Sequence, residues 1–406
     1  MKSRRHTKTL VDGPLWWRLL RLMAGNPRHL ATLARAEYRR CVGIPGDRRA
    51  QPDRISLPIN LNINLTRQCN LRCEMCIQHR HDGHTSNTLS WYDPQRELPL
   101  AGWVRLLDQA AAFRPTLYVT GGEPMVYPKF GEFIVEAKRR GLFVQLATNG
   151  TLLARHAKLL VERGVEMVTV SLDGPADVHD RIRRQRGSFE HAAEGIRALV
   201  AARKKRQRPV PLVGLNFTIS KDNVAVIGDM VPLAVGLEAD LLQFQHTIFS
   251  SQEHVASHNR VFSPEFTASR GITMVPPSIP SGEFYEGGLS AEQVPAVIAA
   301  FKRARSQSAG RIRLSFLPSL SSEMIALYYG DLDHPFGGRC DVPWKTLRIL
   351  PDGTVSPCLH VVAGNISEQS LDEIWNGPSM RNYRRLIAQN LLPGCVRCCS
   401  RSFCMR

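Results

Sequence analysis

Three cysteines within eight residues are the first chemistry the chain offers. Cys69, Cys73 and Cys76 have the spacing C-x3-C-x2-C in Cys69-Asn70-Leu71-Arg72-Cys73-Glu74-Met75-Cys76. Three thiolates can bind three irons of a 4Fe–4S cluster, and the fourth iron then has no protein ligand. An open position is what a metal needs for chemistry rather than for structure. Taken alone, the spacing also suits a structural zinc or iron–sulfur site on another fold. A second group, Cys340, Cys358, Cys395, Cys398, Cys399 and Cys404, lies more than 250 residues further on, and Cys41 stands alone as a structural thiol. Ten cysteines gathered this way in 406 residues are not a disulfide scaffold, which would be short and evenly laced.

The elements that must position these thiols come next. Strand-like runs are Leu57–Thr66, Thr116–Thr120, Phe143–Thr148, Met167–Leu172, Leu212–Ile219 and Leu241–Phe249. Helical patterns alternate with them, at Trp103–Phe113, Phe130–Arg140 and Leu152–Arg163. In the clearest helix the apolar residues 189, 192, 193, 196, 199 and 200 fall on one face. Six strand–helix units predict an α/β fold with a parallel sheet and right-handed crossovers. A complete barrel needs eight, so the expectation is a partial (β/α)6 barrel. The first cysteines leave the C-terminal end of the first strand, the active-site end of such folds.

Other motifs fall at the same ends. Gly121-Gly122-Glu123-Pro124 follows the second strand, Thr148-Asn149-Gly150 ends the third, and Ser171-Leu172-Asp173-Gly174 ends the fourth, followed by His179, Asp180 and Arg183. Together with the cysteine loop, this segment resembles the radical S-adenosylmethionine (radical SAM) superfamily. The resemblance implies that Cys69, Cys73 and Cys76 hold the SAM-cleaving 4Fe–4S cluster. It implies that Gly121, Gly122, Glu123 and Pro124 hold the amino group of SAM. Asn149, Ser171, Asp173 and Arg183 would serve its ribose and carboxylate, with Arg183 the candidate for the carboxylate. The family often has an aromatic residue before the last cysteine, close to the adenine; here it is Met75, which can still pack on a purine.

In the tail, Ile349-Leu350-Pro351-Asp352-Gly353-Thr354-Val355 predicts a hairpin, and a helix is expected around Leu371–Trp375. With its cysteines this tail resembles the SPASM/twitch auxiliary-cluster domain. The full pattern has seven cysteines and two extra clusters; here the last two ligands are absent. The resemblance therefore implies one auxiliary 4Fe–4S cluster on Cys340, Cys358, Cys395 and Cys398. Cys404 is a further candidate ligand, and Cys399 and Cys404 read first as packed thiols. Two separated thiolate pairs also suit a zinc ribbon, although the DGxVxPC stretch matches the iron–sulfur family better.

The division expected is a basic helical arm (1–55), a radical SAM core (56–250), a bridge rich in Ser, Pro and Gly (251–339) with a helix at Ala291–Arg305, and a small α+β auxiliary domain (340–406). Lys and Arg number 53 against 36 Asp and Glu, a net charge of +17. Only 10 of the 53 are lysine, and residues 1–55 carry +9 of the excess. The arm has helical patterns at Leu15–Leu22 and His29–Arg40. It reads first as packed on the main domain, and second as a contact with a membrane surface or anionic partner. No apolar run spans a membrane, and no clean export signal follows Ser3-Arg4-Arg5, which places the chain in the cytoplasm. Neither His79, His81 and His84 nor His254 and His258 read as a metal site.

The function expected is reductive cleavage of SAM to a 5′-deoxyadenosyl radical that takes hydrogen from a substrate, first of all a small biosynthetic metabolite. A flavodoxin- or ferredoxin-like donor would supply the electron, and the auxiliary cluster would assist oxidation or relay. Alternatives are a peptide natural-product maturase, for which the arm is short, a tRNA-modifying enzyme, and a non-catalytic electron carrier. No recognisable RNA-binding module supports the tRNA alternative, and no DNA partner is expected.

Overall fold

The protein is described by a computed structural model over residues 27–51, 53–76, 96–247, 252–274, 288–332, 334, 336–358, 361–398 and 402–404. Its first six strands are β1 (Asn60–Asn64), β2 (Thr116–Thr120), β3 (Phe143–Thr148), β4 (Met167–Ser171), β5 (Leu212–Ile219) and β6 (Leu241–His246). They pair in that order, all parallel. Helices Leu100–Phe113, Phe130–Arg139, Leu153–Arg163 and Ser188–Lys205 make crossovers between them, as the apolar periodicity predicts.

The sheet extends beyond the six units. The later strands are β7 (Thr273–Met274), β8 (Arg313–Leu317), β9 (Gly337–Arg339), β10 (Thr346–Ile349), β11 (Thr354–Ser356), β12 (Val361–Val362), β13 (Gly364–Asn365) and β14 (Ser402–Cys404). Of these, β8 adds in parallel beyond β6, and β10 adds in parallel beside β1. With β11 and β13 they complete a ten-stranded sheet, and among the described strands no pairing closes it. An open sheet leaves a row of unpaired backbone groups on each edge. Here the segments read as bridge and as auxiliary tail each cover one edge. Sequence periodicity does not reveal this, because edge pairing is non-local.

One face of the sheet is apolar. Leu61, Ile63, Leu117, Val119, Leu146, Val170, Leu215, Phe217 and Phe244 are fully buried beneath the helices. The opposite face is polar and half-buried, as developed below.

The tail forms as its turn chemistry predicts. Asp352 accepts the N–H of Thr354 at 3.0 Å, and Gly353 takes φ +85°, so β10 and β11 form an antiparallel hairpin. Ser370 and Glu373 form a capping box that starts the helix Leu371–Trp375. The arm is helical over Pro27–Tyr38 and Ile44–Ala50, joined by a π turn at Arg39–Gly43. It packs on the rest of the chain: Arg48 donates to the carbonyls of Cys340 (2.6 Å) and Ile387 (3.4 Å) and lies over the Trp344 ring. The Leu15–Leu22 pattern and His79, His81 and His84 lie outside the described residues. No helix among the described residues is long and apolar enough to cross a membrane.

Candidate functional site

The cysteine loop is fastened where it leaves β1. Glu97 accepts from the Thr66 hydroxyl (2.9 Å) and the Arg67 N–H (2.8 Å), and the Glu74 N–H donates to the carbonyl of Ile182 at 2.9 Å. Cys73 is buried, and Cys69 and Cys76 are half-buried. The Leu71 N–H points at the Cys69 sulfur at 3.4 Å. Burial pushes the Cys69 thiol up to about 11, and Cys73, Glu123 and Cys76 push it the same way. Three thiols gathered on one short loop are a soft, electron-rich donor set, suited to iron.

Behind the loop stand Gly121 and Gly122. A Cβ on Gly121, which has φ +143°, would sit 2.3 Å from the Thr66 carbonyl oxygen. A Cβ on Gly122 would sit 2.2 Å from that of Gln68. Only glycine lets the end of β2 approach the cysteine loop this closely. Both oxygens of the fully buried Glu123 are taken up within the chain. The Asn149 N–H donates at 2.7 Å, the Thr148 hydroxyl at 2.8 Å and the Met125 N–H at 3.2 Å. Glu123 thus ties the end of β2 to the end of β3. Pro124 opens the short turn Pro124–Val126, and Met75 is half-buried on the cysteine loop.

At the next strand ends, Ser171 is half-buried on β4, and Asp173 and Arg183 form a buried ion pair at 2.5 Å. Burial works against the charge of Arg183, but Asp173 and Cys73 outweigh it and hold the guanidinium protonated. His179, which the motifs flagged only in passing, accepts the Asp173 N–H on Nδ1 at 3.2 Å. Its Nε2 must then carry the hydrogen. Among the described residues, His179 Nε2 and Arg183 Nε are buried without a hydrogen-bond partner. Such orphaned groups are costly unless a ligand satisfies them. Two spare donors beside a thiol cluster therefore fit a molecule rich in acceptors, such as SAM.

The second cysteine group comes together beside the hairpin β10–β11. Cys340 precedes β10, Cys358 follows β11, and Cys395 and Cys398 flank a short turn. Burial pushes the Cys340 thiol up to about 11, with Cys358 adding to it. Burial raises Cys395 further, with Cys358, Cys340 and Cys398 contributing. Among the described residues, no three such side chains converge tightly enough to hold a single ion. Cys404 lies on β14, its backbone opposite Gly337 on β9, and Cys399 lies outside the described residues.

Sequence reasoning missed how this site is anchored. Arg397, between Cys395 and Cys398, is buried and donates to the carbonyls of Tyr328 (2.8 Å), Leu332 (2.9 Å) and Asp331 (2.7 Å). The Tyr328 hydroxyl in turn reaches the carbonyls of Arg397 and Thr247, both at 3.0 Å. The second site is thereby tied to the end of β6. Spacing motifs carry no signal for such a contact.

Sequence reasoning also missed the polar sheet face. Asn62, in register with Tyr118 and Arg348, lies on it, as do Asn216 and Gln243, which are in register with each other. All five are half-buried or exposed. Gln243 donates to the Asn216 side-chain oxygen at 2.8 Å. The signal was present: parallel strands normally read as continuous apolar runs, but Asn60, Asn62 and Asn64 alternate with apolar residues, as do Gln243 and Gln245.

A family model described as the radical SAM superfamily matches residues 63–219. A second, SPASM, described as an iron–sulfur cluster-binding domain, matches residues 340–399. The chain carries a radical SAM domain followed by a SPASM domain. This radical SAM chain is an enzyme whose cofactors are SAM and a 4Fe–4S cluster, with auxiliary iron–sulfur chemistry in its SPASM domain. It is 24% identical over 367 residues to a tungsten-containing aldehyde ferredoxin oxidoreductase cofactor-modifying protein of Pyrococcus furiosus, spanning 85% of this chain and 88% of that protein. It is 27% identical over 359 residues to a PqqA peptide cyclase of Ruegeria pomeroyi, spanning 86% of this chain and 81% of that one. The solved structure of Streptococcus suis SuiB bound to S-adenosylmethionine shares the fold. The TM-score is 0.52 at 15% identity, covering 80% of this chain and 66% of that one.

Proposed function

We propose that this radical SAM enzyme takes a hydrogen atom from a peptide lying on the polar face of its sheet. The observation that carries the reading is the carboxamide row there, Asn216 hydrogen-bonded to Gln243 beside Ser171. A carboxamide offers one acceptor and two donors, which matches the N–H and C=O of a peptide group. The PqqA peptide cyclase, similar along most of the chain, supports the same substrate class.

In this reading Cys69, Cys73 and Cys76 hold the SAM-cleaving cluster. Gly121, Gly122 and Pro124 bring the backbone up to SAM, and Glu123 fixes the strand ends that shape its pocket. Asn149, Ser171, Asp173 and Arg183 orient its ribose and carboxylate, and Met75 lies near its base. When bound, the cluster supplies the electron that breaks a carbon–sulfur bond of SAM, giving methionine and the 5′-deoxyadenosyl radical. The chain's own work is to orient both molecules and exclude water. Cys340, Cys358, Cys395 and Cys398 would hold one auxiliary cluster, which would supply an acceptor or relay for the electron that the substrate radical gives up. The setting is the cytoplasm, where thiols stay reduced.

The test is anaerobic turnover with a reductant, SAM and candidate precursor peptides deuterated at backbone or side-chain carbons. Deuterium should appear in 5′-deoxyadenosine and the peptide should lose hydrogen by mass. Deuterium uptake from a small metabolite alone would overturn the peptide reading. That second reading, the small biosynthetic metabolite expected from the sequence, is favoured by the similarity to a cofactor-modifying protein.

A further inference from the structure

The strands of the ten-stranded sheet contain no Asp or Glu. Apart from His246 at the end of β6, their only charged side chains are Arg313 on β8 and Arg348 on β10. Arg348 is in register with Asn62 of β1 on one side and Ser356 of β11 on the other. Asn62 is in register with Tyr118 of β2. Side chains in register share a face of a sheet. Leu347 and Ile349, the neighbours of Arg348 along β10, are fully buried on the apolar face. Arg348 therefore stands on the polar face, in one row with an amide and an aromatic ring.

The chain leaves this row incomplete. Arg348 is half-buried, and no described residue makes an ion pair or hydrogen bond with its guanidinium. Beside it, Oδ1 of Asn62 is buried without a hydrogen-bond partner. Tyr118 is exposed. Elsewhere the fold gives its sheltered arginines a carboxylate: Arg39 meets Asp47, Arg140 meets Asp108 and Arg203 meets Asp240. A guanidinium on an otherwise uncharged face offers a fixed charge and a planar fork of donors. That fork takes a carboxylate on two parallel hydrogen bonds. An orphaned amide oxygen next to it calls for a donor.

We propose that Arg348 binds a carboxylate of the substrate, with Asn62 accepting an N–H beside it. The proposal rests on the reading that a peptide lies on this face, and it adds that the peptide is anionic there. The carboxylate comes from an acidic side chain or from the C-terminal residue. From Arg348 to Asn216 the sheet runs through β1, β2, β3 and β4, five strand spacings in all, or at most ~24 Å. An extended peptide covers that distance with about seven residues. One peptide can thus meet the Asn216–Gln243 carboxamides with its backbone and Arg348 with its acid. The site also lies between the two thiol groups along the chain: β1 runs on to Cys69, and β11 runs on to Cys358. Arg348 is a binding and specificity residue, and it takes no part in bond making.

The experiment uses reconstituted enzyme with SAM and four synthetic pools of N-acetylated octapeptides of mixed neutral sequence. Three pools are C-terminally amidated and carry one Glu, one Gln or one Lys. The fourth is neutral with a free C-terminal carboxylate. Retention by the enzyme on ultrafiltration is read by mass spectrometry. The wild type should retain the Glu pool or the free-carboxylate pool about tenfold or more over the Gln pool, the scale of one charged hydrogen-bonded contact. The pool that leads identifies side chain or chain end as the source. Arg348→Gln should lose the preference, Arg348→Lys should keep a reduced one, and Arg348→Glu should turn it towards the Lys pool. Melting temperature, iron content and SAM binding of Arg348→Gln should match the wild type. Equal retention of the pools by the wild type, or a preference that survives Arg348→Gln, overturns the proposal. Loss of SAM binding or of auxiliary iron in Arg348→Gln overturns it too, placing the guanidinium in the SAM site or beside the second thiols. Glutarate tests the reading beneath: binding of glutarate that needs Arg348, with no peptide pool retained, upholds the carboxylate site and overturns the peptide.

Discussion

Arg183 places one guanidinium nitrogen 3.6 Å from the sulfur of Cys73 and another 2.5 Å from Asp173. The residue read from the motif as a SAM ligand is therefore also the counter-ion of a buried carboxylate. Removing it leaves Asp173 charged in a fully buried place, a loss of about 3–5 kcal/mol. Arg183→Ala is expected to lower the melting temperature sharply, and adding Asp173→Asn should recover much of it. SAM binding should stay weak in both, because the spare Nε donor is gone in both. Full SAM affinity in the stabilised double variant would remove Arg183 from the SAM site.

The glycines give a second test. Gly122→Ala forces a methyl into the Gln68 carbonyl oxygen, with backbone on both sides and no flexible side chain to yield. The loop carrying Cys69 must shift. The variant is expected to fold, since the apolar core lies on the other sheet face, but to lose the iron of the first site. Iron analysis after reconstitution should fall by about four per chain, the content of one cluster. Retention of all iron with normal SAM cleavage would mean the close approach is not needed.

Much of this was legible in the sequence where the signal is local. Strand and helix periods, the Pro-Asp-Gly hairpin, and the thiol spacing each depend on residues a few positions apart. What the sequence hid is non-local. β8 and β10 complete the sheet from segments more than 60 residues beyond β6 and 280 beyond β1, so no periodicity links them. The roles of Glu123 and Arg183 were hidden for a related reason. A motif names a carboxylate and a guanidinium, but their partners, Asn149, Thr148 and Asp173, are fixed only when the strand ends meet. Arg397 reads as one more surface arginine in a +17 chain; its burial follows from the three carbonyls at the end of the helix Ser322–Gly330 that it satisfies.

Three buried histidines set an expected pH dependence. Burial lowers His179 and His246 to about 3 and His258 to about 4, against 6.5 ordinarily. Each stays neutral when folded and takes up a proton on unfolding, so its contribution is full above pH 6.5 and is lost as pH falls. Glu123 works in the opposite direction. Burial raises it to about 7 from 4.5, so it binds a proton more tightly when folded, and its contribution is lost as pH rises through about 7. Between pH 6 and 5 the three histidines outweigh the one carboxyl, and stability should drop with pH. Urea unfolding should show His246→Phe flattening that slope by about 1.4 kcal/mol per pH unit, one proton's worth. An unchanged slope would mean that His246 is already protonated in the fold.

The second cysteine group separates one auxiliary cluster from two. Burial raises the Cys395 thiol, and Cys358, Cys340 and Cys398 add to it, so the four stand around one small volume. Two clusters need eight protein ligands, and the tail has six cysteines. The four are also braced as a set: Arg48 holds the Cys340 carbonyl, and Arg397 holds the Cys395–Cys398 turn against the helix Ser322–Gly330. Reconstituted protein should therefore carry about eight irons, the sum of two four-iron clusters. The Cys69, Cys73 and Cys76 triple alanine variant should keep about four, and Arg397→Ala should lose auxiliary iron to a chelator faster than wild type while keeping the first site. About twelve irons in the wild type, or zinc in place of the second four, would show that the tail is built for something other than a single redox cluster.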